Sequence, residues 1–158
     1  MKKLGIIGGL GPMATAHFLR LLTQMSDAET DQEHMEICMI SNPATPDRTK
    51  FILGESTDSP LPQMAEAGKK LKGLGAELLA IPCITAHYFH GELEERTGLR
   101  ILNAVEETAR YLQERGIWSA GIMATDGTIK SGLFQRALAR KGIESVIPDE
   151  GYQRKLMD

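Results

Sequence analysis

The stretch Ile81-Pro82-Cys83-Ile84-Thr85-Ala86-His87 holds the side chain best suited to chemistry. A cysteine ending a buried strand, with a helix opening just behind it, has its thiol near backbone N–H groups and the positive end of a helix dipole. Such surroundings enrich the thiolate relative to a free cysteine, whose pKa is about 8.5. Thr85 is placed to cap the following helix or to donate to a substrate carboxylate, and His87 lies close enough to the helix start to bond nearby. Free cysteines are most often small buried hydrophobes. Cys83 differs from that pattern by its strand-end position. Cys38, mid-strand in Glu36-Ile37-Cys38-Met39-Ile40, follows it and reads as core.

Three further junctions carry polar groups. Asn42 and the pair Asp47-Arg48 follow the second apolar run; an arginine fork suits a carboxylate, and an adjacent acid can orient it. The competing reading is a solvated ion pair on a loop. Ala124-Thr125-Asp126-Gly127-Thr128 offers hydroxyls and amides as a carboxylate cradle, though Asp126 or Thr128 equally fits a plain helix cap. Gly8-Gly9-Leu10-Gly11-Pro12 meets only the looser dinucleotide pattern, with Ala14 as its last member. The second strand ends at Ser41-Asn42 without the acid that would hold a ribose, and no Walker lysine follows the glycines. A tight turn whose amides near Gly11 line a pocket for a small anion is the better reading. His17, His34 and His90 have no partner at ligand spacing and read as surface or helix-face residues. No zinc-type cluster and no Ser-His-Asp order or GxSxG elbow is present, so no metal is expected.

These groups need a frame to position them. Short apolar runs at 3–8, 36–41, 77–82, 100–102, 119–124 and 144–147 predict strands covered on both faces, as in a parallel sheet. Between them the pattern predicts helices over 12–26, 61–74, 86–96, 104–115 and 128–141. Four of these stop just before a glycine, at Gly75, Gly98, Gly116 and Gly142. Helices alternating with strands predict an α/β fold. The run 42–60, with Pro43, Pro46 and Pro60, predicts a long loop at the carboxyl edge of the sheet, where open α/β sheets bind ligands. Leu4-Gly5-Ile6-Ile7-Gly8-Gly9-Leu10-Gly11 is echoed by Ala120-Gly121-Ile122-Met123-Ala124-Thr125-Asp126-Gly127, which suggests two related halves.

The 158 residues are 42% hydrophobic and 25% charged, the balance of a soluble globular protein. A formal net charge of −3, with no basic stripe, argues against a nucleic-acid partner. The apolar run after Met1-Lys2-Lys3 is too short for a signal peptide and breaks at Gly8-Gly9; no run reaches membrane-spanning length. Two cysteines make no disulfide framework. A cytoplasmic protein without a membrane partner is the expectation.

Taken in order, Gly5-Ile6-Ile7-Gly8-Gly9-Leu10-Gly11-Pro12-Met13-Ala14-Thr15, Asp31-Gln32-Glu33-His34, Asn42-Pro43 with Pro46-Asp47-Arg48-Thr49, Ile52-Leu53-Gly54, the Cys83 motif, Glu106-Glu107-Thr108-Ala109 and Ala124 to Thr128 resemble the aspartate/glutamate racemase family along nearly the whole chain, nearest its aspartate racemases. The resemblance implies two similar α/β domains with parallel sheets flanked by helices, here 1–115 and 116–158. It also implies a homodimer, a small amino-acid substrate, and catalysis without pyridoxal phosphate or metal. By the same likeness Cys83 is one of two cysteines that exchange the substrate α-proton from opposite faces. Arg48, with Asp47 beside it, holds the side-chain carboxylate. Asn42, Thr85, Thr125, Thr128 and the amides near Gly11 hold the remaining groups. The family's second cysteine lies in a Gly-Cys-Thr-Glu stretch that has no counterpart before Asp158, so the second domain is expected to be incomplete. The family usually has Asn where this chain has Ile84. Beside an aspartate or glutamate racemase stand two alternatives: an inactive amino-acid-binding remnant, and a related cysteine-dependent diacid isomerase or decarboxylase.

Overall fold

A computed structural model describes residues 2–157. The chain divides into two compact units, Met1–Thr45 with Pro60–Leu102, and Pro46–Ser59 with Asn103–Asp158. This division differs from the expected boundary at 115. The segment 46–59 and the helix beginning at Ala104 belong to the second unit, because the first packs on the helix at 126–131 and the second on the helix at 133–140.

The first unit is built on β1 (Leu4–Gly8), α1 (Pro12–Met25), a 3-10 turn (Asp31–Glu33) and β2 (Ile37–Ser41). In chain order α2 (Arg48–Leu53) then falls in the second unit. The first resumes with α3 (Leu61–Gly73), β3 (Leu78–Ala80), a 3-10 helix (Thr85–Phe89) and α4 (His90–Thr97). The sheet is parallel throughout, in the order β2-β1-β3, with Leu4 opposite both Ile37 and Leu78. The expected strand at 100–102 reduces to a single parallel bridge, Leu79 to Ile101, outside β3.

β1 is buried along its whole length because both faces are covered. Leu4 and Ile6 pack with Ala80 against Phe18, Leu22, Ile37 and Leu78. On the opposite face α3 and the β3 side chain Leu79 come so close that a Cβ at Gly5 would lie 2.6 Å from Leu79 Cδ2 and 3.2 Å from Leu71 Cβ of α3. Ile6, Leu71, Leu79 and Leu93 are fully inaccessible, and each contributes on the order of 1.5–3 kcal/mol by burial. β2 is the outer strand, which leaves Cys38 half-buried, with Sγ 3.7 Å from the Leu4 carbonyl, rather than in the core.

The second unit comprises α2, α5 (Ala104–Glu114), β4 (Ser119–Gly121), α6 (Asp126–Ser131), α7 (Leu133–Arg140), β5 (Glu144–Val146) and α8 (Glu150–Met157). β4 and β5 pair in parallel, and Val105, Ala109, Ile122, Ala137, Leu138 and Ile143 form the buried apolar set. The helix expected over 128–141 is broken in two by Gly132, whose φ of +66° caps α6 in the left-handed region. The expected long loop contains α2, and α8 lies beyond the last expected strand.

Candidate active site

The residues singled out in the sequence fall into two groups of four, one in each unit. In the first unit, Gly11, Asn42, Cys83 and Thr85 all follow strands of one parallel sheet, so they gather along its carboxyl edge. Gly11 is the N-cap of α1, and its carbonyl accepts from the Thr15 amide at 3.1 Å. Thr15, buried and given no role by the sequence pattern beyond its place in the glycine motif, closes the turn: its hydroxyl accepts from the Gly9 amide at 2.9 Å and donates to the Gly11 carbonyl at 3.1 Å. The Gly9 amide is thereby committed within the turn.

Asn42 is held in a similar way. Its Oδ1 accepts from the Ala44 amide and its Nδ2 donates to Gln63 Oε1, both at 3.2 Å. Gln63 lies 21 residues away on α3, and no sequence signal marks it.

Cys83 is half-buried. Its amide donates to the Ile81 carbonyl at 2.8 Å, and its carbonyl lies 3.0 Å from Nδ1 of the buried His87. The helix expected from Ala86 is instead a five-residue 3-10 helix starting at Thr85, capped by Ile84 without any side-chain bond, with α4 following from His90. Thr85, buried inside that turn, therefore does not serve as its cap. His90, expected on a surface or a helix face, opens α4 and is half-buried, with Nε2 2.9 Å from the Ile101 carbonyl.

Burial pushes the His87 imidazole below its ordinary value of 6.5, with His90 alongside adding to the depression, although the carbonyls of Cys83, Leu102 and Ile84 favour the proton. The folded state therefore keeps this ring neutral where the unfolded chain would already bind a proton. The resulting stability is complete above pH 6.5 and is lost as the pH falls through the depressed folded value. A thermal unfolding series between pH 7.5 and pH 5 is expected to show a falling midpoint, with a shallower slope in His87→Asn. An identical slope in the variant would rule out this source.

In the second unit, Asp47 is the N-cap of α2 and its carboxylate accepts from the Lys50 amide at 2.9 Å. Arg48 opens α2, half-buried, with Nη1 donating to the Pro46 carbonyl at 3.1 Å. The acid thus fixes the start of the helix that carries the guanidinium. Thr125 caps α6, accepting from the Thr128 amide at 3.4 Å, and the two hydroxyls lie 3.1 Å apart. Asp126 sits inside the helix, so the cap expected there falls to Thr125. α2 and α6 meet closely: a Cβ at Gly127 would lie 2.9 Å from Thr49 Cα. Gln153 of α8 braces the same loop, donating to the Ala124 carbonyl at 3.0 Å and to Asp126 Oδ1 at 2.7 Å. Among the described residues no set of three or more His, Cys, Asp or Glu is placed to hold a metal ion, and no helix is long and apolar enough to cross a membrane.

The sequence profile of the Asp/Glu/Hydantoin racemase family matches residues 7–158. The chain belongs to that family. Among solved structures, an aspartate racemase from Picrophilus torridus superposes on 98% of this racemase-family chain with a TM-score of 0.87 and 32% identity, over 66% of its own length. The broad specificity amino-acid racemase RacX of Bacillus subtilis (strain 168) is 26% identical over 156 residues, which is 95% of this chain and 66% of that protein. A glutamate racemase from Aquifex pyrophilus shares the fold, at 19% identity, a TM-score of 0.66, and coverage of 93% of this chain and 54% of its own. The chain thus spans about two thirds of the length of the first two relatives.

Proposed function

We propose that this protein is a cofactor-independent racemase of an acidic amino acid, with aspartate first in order and glutamate second, in which the Cys83 thiol exchanges the α-proton. The observation that carries the reading is the half-buried Cys83 at the carboxyl edge of a parallel sheet, with its amide and carbonyl both engaged. Likeness at 32% identity to a protein described as an aspartate racemase supports the order of substrates. Arg48, held at the start of α2 by the Asp47 cap, binds the side-chain carboxylate. Asn42, Thr85, Thr125, Thr128 and the turn at Gly11 orient the amino and α-carboxylate groups. The reading includes a cytoplasmic homodimer that needs neither pyridoxal phosphate nor metal.

The chemistry is demanding because an α-proton is far less acidic than a thiol. A thiolate removes it only where preorganised donors stabilise the enolate-like charge as it forms and water is excluded. Racemisation then requires a proton donor on the opposite face of the carbanion, the place of the family's second cysteine.

Incubation with L- and D-aspartate, L- and D-glutamate and maleate in deuterium oxide tests the proposal. NMR is expected to show the α-proton of aspartate exchanging and chiral chromatography to show both enantiomers. Products from maleate alone would identify a diacid isomerase instead. A second reading, binding of a dicarboxylic amino acid without turnover, is favoured by Ile84 where the family usually has Asn. It predicts calorimetric binding of aspartate with no hydrogen exchange.

A further inference from the structure

Two polar side chains of α4, behind Cys83, close the free edge of the first unit's sheet. Ile101 forms the last rung, beyond β3: Leu79 donates to the Arg100 carbonyl at 3.0 Å and Leu102 to the Leu79 carbonyl at 2.8 Å. On its outer side, the Ile101 amide donates to Glu94 Oε1 at 2.8 Å, and its carbonyl accepts from His90 Nε2 at 2.9 Å. Two residues one turn apart on α4 thus stand in for the next strand. This edge is anchored without any help from Cys83.

His87 lies inside that frame, 3% exposed, with its ring stacked on His90 at a centroid distance of 6.2 Å. Nδ1 is 3.0 Å from the Cys83 carbonyl and Nε2 is 3.4 Å from the Leu102 carbonyl. A neutral imidazole has one N–H to give, and the shorter distance assigns it to Nδ1. The peptide that follows Cys83 is therefore fastened by a side chain four residues on, itself wedged against an anchored strand edge. Its own amide, bonded to the Ile84 carbonyl at 2.9 Å, closes the turn.

We infer that His87 is a positioning residue for Cys83: its Nδ1–H fixes the Cys83–Ile84 peptide, and so the direction in which the thiol leaves the end of the sheet. The importance of that direction for catalysis rests on the proposed function, but the fastening itself does not. A ring that only filled space would be replaceable by any side chain of its volume. A ring that acts through one N–H is replaceable only by a donor at the same place. Asn carries its amide nitrogen at about the position of Nδ1, whereas the nitrogen of Gln falls nearer Nε2.

The test compares His87→Asn, His87→Gln and His87→Phe in the whole protein with two readouts. The first is the rate of Cys83 alkylation by iodoacetamide, resolved by peptide mass spectrometry with Cys38 as internal reference. The second is α-hydrogen exchange on aspartate. With Phe or Gln, Cys83 alkylation is expected to rise about tenfold relative to Cys38 and kcat for exchange to fall by about tenfold or more with KM little changed, since small misplacements of a reacting group carry large rate costs. Asn is expected to restore both to within about threefold. Equal behaviour of Asn and Gln, unchanged Cys83 alkylation in Gln and Phe, or a parallel rise at Cys38 would each overturn the inference. If Phe does not fold, the Asn–Gln comparison decides. Absence of exchange in the parent protein would sink the functional reading while leaving the alkylation comparison decisive.

Discussion

Serine in place of Cys83 is expected to lower α-hydrogen exchange on aspartate by about 10²–10⁴-fold, the usual contribution of a positioned acid–base group. The substitution is close to isosteric, and the backbone at this position is held independently of the side chain, by the Ile81 carbonyl and by His87. Stability should therefore change by no more than about 0.5 kcal/mol, which separates a chemical loss from a structural one. A hydroxyl is a far weaker acid than a thiol, so the variant retains the geometry without the proposed acid–base group. Cys38→Ser is the matching control: that sulfur lies on the outer strand β2 beside the Leu4 carbonyl, and its loss should leave exchange intact. If Cys83→Ser exchanged at the parent rate, the thiol mechanism would be lost along with the family analogy that suggested it.

The frame around this thiol was legible in the sequence where local and tertiary preferences agree. β1 is apolar on both sides because α1 and α3 both cover it, and an uninterrupted apolar run states that directly. The glycine stops were equally plain: Gly75, Gly98, Gly116 and Gly142 all take positive φ at or just past a helix end. Legibility fails where packing overrides the local signal. Thr85, Ala86, His87 and Phe89 are all buried and only Tyr88 of that turn is exposed, so polar and apolar residues do not sort into two faces from which a period can be read, and its 3-10 geometry follows from what surrounds it. α2 is six residues long inside a proline-bearing stretch, too short for a readable period, and its marks are only its two ends, the cap at Asp47 and the positive-φ Gly54. α8 buries no residue, so burial imposes no pattern on it.

The candidate site divides along the same line. The identities of Cys83, Arg48, Asn42, Thr125 and Thr128 come from chemistry that sequence displays. Their bonding does not. Asn42 reaches Gln63 across 21 residues, and Gln153 reaches Ala124 across 29. Those pairings exist only because strands distant in sequence end at one edge, or because a terminal helix folds back onto a loop. Asp47 shows the consequence. Read as an acid that orients Arg48, it proves to be the cap that fixes the helix on which Arg48 stands.

Alanine at Gly9 is expected to destabilise the protein by about 3 kcal/mol or more, whereas alanine at Gly11, two residues on, is expected to be nearly neutral. Gly9 has φ +87°, and a Cβ there would lie 2.4 Å from the Asn42 amide nitrogen and 2.6 Å from its carbonyl carbon. Both obstacles are backbone, so no side chain can turn aside. Positive φ in a residue other than glycine costs about 1–3 kcal/mol, and overpacking adds a similar amount. Gly11 has φ −96° and nothing within 4 Å of its would-be Cβ. A phosphate-binding reading of the glycine turn predicts a different pattern, with both substitutions harming ligand binding by obstructing its approach. Here Gly9 is required because β1 and β2 come together at their carboxyl ends, where the Asn42 amide bonds the Gly8 carbonyl at 3.1 Å. Chemical denaturation of the two variants separates the readings. Equal loss of stability would refute the close-approach account, while a large loss confined to Gly9→Ala would establish that the turn's first duty is to hold Asn42 at the edge it shares with Cys83.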